Sequence, residues 1–111
     1  MSTVRIRSID REQVRLAVAA YAHLLRQEHA EIVRIIWFGS WVNGLPSPGS
    51  DVDLCLILSS CGKPPRDRIS EYLPLGFPVG VDLCVYTLSE FEQLPDRSPG
   101  WHQAITSGID V

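Results

Sequence analysis

The sequence predicts an α/β domain, a small sheet with helices packed on it, and three observations carry that expectation. Apolar runs of strand length recur at Ile32–Phe38, Val52–Leu58 and residues 79–86. An amphipathic helical pattern precedes the first run, and Pro- and Gly-bounded stretches separate the others. The 111 residues leave room for one domain, spanning 1–111, with one modest core.

Residues 4–7 read as a short strand or an ordered tail. Asp10 then has the place of an N-cap, with Gln13 in the reciprocal capping position. Val14, Ala17, Val18, Tyr21, Leu24 and Leu25 keep the i, i+3, i+4, i+7 rhythm, so a helix is expected to about Gln27. Arg11, Arg15 and Arg26 lie off that stripe and read as a solvated face. The first strand, Ile32–Phe38, is apolar nearly throughout, as in a strand covered on both faces. After Gly39 and Ser40, residues 41–43 allow at most a turn of helix before Gly44, and Pro46 and Pro48 stop any continuation.

The second strand, Val52–Leu58, ends at Ser59, Ser60 and Gly62. Pro64 and Pro65 suit a helix start, with Ile69, Tyr72 and Leu73 as its apolar face before Pro74. The third strand is expected over 79–86. The segment between the strands is long enough for the crossover helix of a parallel pair. Thr87 with Glu90 forms a capping box for a helix through Leu94, which Pro95 ends. Ser98 and Pro99 open a last helix through about Ser107, with Gly108 as its stop, and residues 109–111 suit an edge strand.

Composition excludes several classes. A 45% apolar content is that of a folded chain. No apolar run approaches a membrane span, and the N-terminus has no signal-peptide apolar region, so a cytoplasmic protein is expected. Net charge is −3 and the basic residues are scattered, which disfavours a protein built to grip nucleic acid. The three cysteines lack zinc or redox spacing. Cys55 and Cys84 sit in strands two residues after Asp53 and Asp82, and read as small core residues rather than as part of a mixed Cys/Asp metal site. His23 and His29 have no companion at ligand spacing and read as structural or surface residues.

The chemistry concentrates between Phe38 and Leu54. Period-two alternation puts Asp51 and Asp53 on one face at the start of the second strand. Paired carboxylates repel unless a cation joins them, and an oxygen-only donor set suits magnesium or manganese. The Gly39-Ser40 turn lets backbone N–H groups approach a phosphate. Val81-Asp82-Leu83-Cys84 echoes Val52-Asp53-Leu54-Cys55, so parallel pairing in register sets Asp82 beside Asp53. Glu71, Glu90 and Glu92 are the other acids in range, but they fall in helical patterns where a solvated acid needs no explanation, whereas Asp82 alone lies inside an apolar strand, where an ionised carboxylate needs a partner. Metal-holding acids facing a phosphate turn point to phosphoryl or nucleotidyl transfer. An EF-hand is excluded because a buried strand, not a helix, follows the acids.

Gly39-Ser40, eleven residues to Asp51, then Asp51-Val52-Asp53 resembles the polymerase-beta-type nucleotidyltransferase signature. The chain is most similar to the minimal nucleotidyltransferases, small proteins often encoded beside a HEPN partner as toxin–antitoxin pairs. The resemblance implies the polymerase-beta-like fold, a small mixed sheet of α+β type. It implies Asp51, Asp53 and Asp82 as catalytic metal ligands for Mg2+ or Mn2+, Asp51 and Asp53 bridging two ions about 3.5–4 Å apart. Gly39, Ser40, Asn43 and Ser50 become the nucleotide-binding candidates, with ATP as donor. Ser40 binds phosphate and is no nucleophile, since no histidine is placed to activate it. Many relatives carry arginine where Asn43 stands, so one phosphate contact is missing.

Two functions follow. One is transfer of AMP to a tyrosine of a HEPN-type toxin, with antitoxin action. The other is a binding module that keeps the fold and neutralises its partner without chemistry. Trp41, just after the turn, either packs beneath it or contacts the partner.

Overall fold

The computed structural model describes residues 11–44, 46 and 50–111. The expected strand or tail at 4–7 and the Asp10 cap lie outside them. In chain order the elements are α1 (Arg11–Glu28), β1 (Ile32–Phe38), α2 (Ser40–Asn43), β2 (Val52–Leu58), β3 (Val81–Thr87), α3 (Leu88–Arg97), α4 (Pro99–Thr106) and β4 (Ile109–Asp110). The sheet runs β3-β2-β1-β4. β1 is antiparallel to both β2 and β4, whereas β2 and β3 are parallel, so the sheet is mixed.

Alternation along the strands builds a core on each face. Ile35, Trp37, Leu54, Leu56 and Leu83 point to the face covered by α1, where Val14, Val18, Ala22 and Leu25 meet them. Ile36, Phe38, Cys55 and Ile57 point the other way, against Phe91 and Leu94 of α3 and Ile105 of α4. Both bounds of β1 and of β2 match the sequence expectation because each apolar run is cut off by glycine or polar residues.

Three elements differ from expectation. The β2–β3 crossover carries two short 3-10 turns, Pro65–Asp67 and Ile69–Glu71, in place of an α-helix. Side chains rather than a continuous backbone ladder hold it. Arg68 is buried and donates to the Lys63 carbonyl (2.9 Å) and the Val85 carbonyl (3.3 Å). Its guanidinium also grips Glu90 at 2.6 and 3.1 Å. Tyr72 is buried against His29 (ring centroids 4.7 Å), donates to Glu31 at 2.7 Å, and offers its carbonyl to the Tyr21 hydroxyl.

β3 starts two residues later than expected, at Val81, and its pairing with β2 opens with the Val52 N–H bonded to the Gly80 carbonyl at 2.8 Å. α3 continues through Pro95 to Arg97. Proline so near a helix C-terminus forfeits one backbone bond, and Ser98 N–H still closes the final turn on the Leu94 carbonyl at 2.8 Å. The Thr87–Glu90 capping box at its start is present in both directions. Gly108 does follow α4, but its φ is not positive. It is glycine because a Cβ there would meet the Phe38 Cα at 2.9 Å, where the chain turns into β4 against β1.

Candidate functional site

The parallel register places Asp53 directly beside Asp82, and the antiparallel register places Phe38 on the other side of Asp53. Residues opposite one another in a sheet share a face, so Phe38, Asp53 and Asp82 form one row on the α3/α4 side. Asp51 stands one residue before β2, exposed. Asp53 is half-buried. Burial, then the charges of Asp82 and Asp51, raise its pKa above the usual carboxylate range. Among the described residues no Lys or Arg pairs with any of the three acids.

One part of the sequence argument for Asp82 does not hold. It was expected to be enclosed in an apolar strand, yet it lies one residue inside β3, at an exposed position. Its claim rests on register alone. The alternatives are weakened independently: Glu90 is held by Arg68, and Glu71 by Lys63 at 2.6 Å.

The Gly39-Ser40 turn is built around the acids. Gly39 has φ +86°, and a Cβ on it would lie 2.9 Å from the Asp53 carboxyl carbon. Glycine is required there twice over, by conformation and by contact. Gly80 does the same for Asp51, whose carboxyl carbon would lie 3.0 Å from a Cβ at that position. The sequence reading passed over Gly80, whose only signal was its place just ahead of the second Val-Asp-Leu-Cys segment.

These contacts set Asp53 toward the Gly39-Ser40 turn and Asp51 toward the start of β3. The three carboxyl groups are not converged: among the described residues no group of three His, Cys, Asp or Glu side chains is arranged to hold a metal ion. The donor chemistry fits a hard divalent cation nonetheless, because all three are carboxylates on adjoining backbone and one is half-buried without a counter-ion.

The remaining candidates are placed as follows. Ser40 is exposed at the first position of α2, where the Val42 and Asn43 N–H groups bond the Gly39 carbonyl at 3.1 and 2.9 Å. Asn43 donates its side-chain amide to Ser107 Oγ at 2.9 Å, so it is engaged with the end of α4. Ser50 accepts from the Trp41 indole through its carbonyl at 2.9 Å. Trp41 is 9% exposed within the larger core cluster, which gives it the packing role and removes it as a surface contact. Cys55 is buried beside Cys84, and a hydrogen bond with Cys84 together with burial raises its pKa, which keeps it a neutral thiol. Of the three helix arginines, Arg11 donates to the Gly44 carbonyl at 3.1 Å, Arg15 pairs with Glu12, and Arg26 donates to the Val111 carbonyl. No helix among the described residues is long and apolar enough to cross a membrane.

Comparison with known proteins bears on this geometry. A putative nucleotidyltransferase from Sulfolobus solfataricus superposes with a TM-score of 0.58 at 18% identity, covering 88% of this chain and 80% of that one. At that identity the likeness establishes the fold, the polymerase-beta-like arrangement of mixed sheet and helices. No curated protein sequence matches significantly. The sequence model of the nucleotidyltransferase domain matches residues 21–99, which include the Gly39-Ser40 turn and all three acids. The chain belongs to the nucleotidyltransferase domain family.

Proposed function

We propose that the protein transfers AMP from ATP to a hydroxyl group in a Mg2+- or Mn2+-dependent reaction, and that the acceptor is a tyrosine of a HEPN-type toxin, which the transfer silences. The observation that carries the chemistry is Asp53: a half-buried carboxylate without a cationic partner among the described residues, seated on Gly39 of the phosphate turn and paired in register with Asp82. The acceptor rests on the resemblance to minimal nucleotidyltransferases.

Asp51, Asp53 and Asp82 would hold the metal, and once bound it would neutralise charge at the phosphates and acidify the acceptor hydroxyl. Gly39 and Ser40 bind the β- and γ-phosphates, since the first N–H groups of a helical turn have no acceptor within it. Asp82, the exposed acid of the row, accepts the hydroxyl proton. The acceptor oxygen bonds to the α-phosphorus while the bond to the β-phosphate oxygen breaks in line, and pyrophosphate leaves.

The rival reading is neutralisation by binding alone. It is favoured by Asn43, which stands in place of arginine and is tied to Ser107 rather than left to reach a phosphate. Mass spectrometry of the HEPN-type partner after incubation with ATP and magnesium separates the two. AMP on a tyrosine, absent with Asp53→Asn, is the expected result. An unmodified partner held in a complex that still neutralises toxicity would select the binding module.

A further inference from the structure

The chain has three tryptophans, and two are buried: Trp37 at 6% and Trp41 at 9% exposed. Trp101, on α4, is 41% exposed and is fixed in place. Its ring meets Phe38 edge-on at 5.5 Å between centroids, with the planes at 84°. Its Nε1 donates to the Tyr86 hydroxyl at 2.8 Å. Phe38 is the register partner of Asp53, and Tyr86 lies four residues beyond Asp82 on the same face of β3. Trp101 therefore reaches from β1 to β3 next to the row of acids. Phe38 stands beside Asp53 across the strands, so the indole seated on Phe38 is one side chain removed from the acids.

An exposed indole held at two points loses little freedom when a second ring stacks on it, and stacking on an aromatic face suits any nucleobase. We infer that Trp101 is the platform on which the base of the donor nucleoside triphosphate stacks. Purines, with the larger ring system, gain most from it. Trp101 lies on the last helix, beyond the 21–99 stretch that the family model matches. The inference rests on the proposal that the acids and the Gly39 turn take the phosphates.

Calorimetric titration with ATP and with inorganic tripolyphosphate, each with magnesium, tests it. Tripolyphosphate reads the acids and the turn alone; the margin by which ATP binds more tightly reads the base. The expected margin in wild type is about tenfold or more, the scale of base–aromatic stacking. Trp101→Ala should erase that margin and leave tripolyphosphate affinity unchanged. Trp101→Phe keeps a ring against Phe38 and should retain part of the margin, which decides the matter if the alanine variant fails to fold. Tryptophan emission should fall with ATP and not with tripolyphosphate, and Trp101→Phe should abolish that response. An unchanged margin in both variants overturns the platform and leaves the phosphate site standing. Failure of wild type to bind either ligand overturns both.

Discussion

Replacing Glu90 with glutamine should expose how far the crossover depends on one ion pair. The Arg68 side chain is 4% exposed and that of Glu90 is 38% exposed. Glutamine keeps one oxygen for the capping hydrogen bond from Thr87 N–H but removes the charge and the second acceptor that Arg68 uses. Arg68 then keeps its two carbonyl acceptors but loses its counter-ion in a nearly dry position. Breaking a buried pair costs about 3–5 kcal/mol, and the partial exposure of Glu90 lets water offset part of it, which leaves about 2 kcal/mol. Unfolding entropy for 111 residues makes each kcal/mol worth about 4 °C, so Tm should fall by roughly 8 °C.

The pH dependence gives a second handle. The hydrogen bond from Arg68 is the main cause that holds the Glu90 pKa below its usual value. A lowered carboxylate pKa stabilises the fold above the ordinary glutamate range, and that gain disappears as pH falls through the lowered value. Thermal unfolding followed by circular dichroism should therefore show wild type and Glu90→Gln separated at pH 7 and converging in acid. Arg68→Met with Glu90→Gln should recover most of the loss, since no charge is then stranded. A Tm within about 2 °C of wild type for the single variant would refute the argument that Arg68 needs its partner.

Gly39→Ala should be harmful on two counts, because its φ of 86° with ψ of −161° is a region essentially reserved for glycine, costing a Cβ-bearing residue about 1–3 kcal/mol, and the methyl group runs into Asp53. A drop in Tm of roughly 4 °C or more with loss of transfer is expected, and near-normal values of both would mean the turn is not built around the acid. Asp53→Asn should raise the Tm of the metal-free protein at pH 7. A carboxylate pKa raised by folding favours the native state while protonated, and that advantage is lost as pH rises through it. Millimolar magnesium should raise the Tm of wild type and not of the variant; equal responses would count against Asp53 as a ligand.

What the sequence made legible was local. The ends of β1 and β2, the Thr87–Glu90 box and the Asp53–Asp82 register all rest on patterns within a few residues or on two matching segments. What it hid was long-range. Arg68 looks like any surface arginine until Glu90 and Val85, 22 and 17 residues later, close over it. Gly80 and Gly108 looked like a strand residue and a helix stop, and their reason is what presses on their Cα atoms from elsewhere in the chain. The burial of Trp41 depends on where the loop carrying Ser50 returns, which no periodicity encodes. The same holds for Trp101, whose neighbours Phe38 and Tyr86 come from two strands that do not pair with each other.

Strand order divides the acids into two mechanical regimes. Asp53 rides on β2, laced into the sheet from both flanks, while Asp82 rides on β3, an edge strand laced on one flank only among the described residues. Opening of a sheet begins at its rim, so the backbone that carries Asp82 is expected to open before the backbone that carries Asp53. Amide exchange should therefore be slow along β2 and faster along β3.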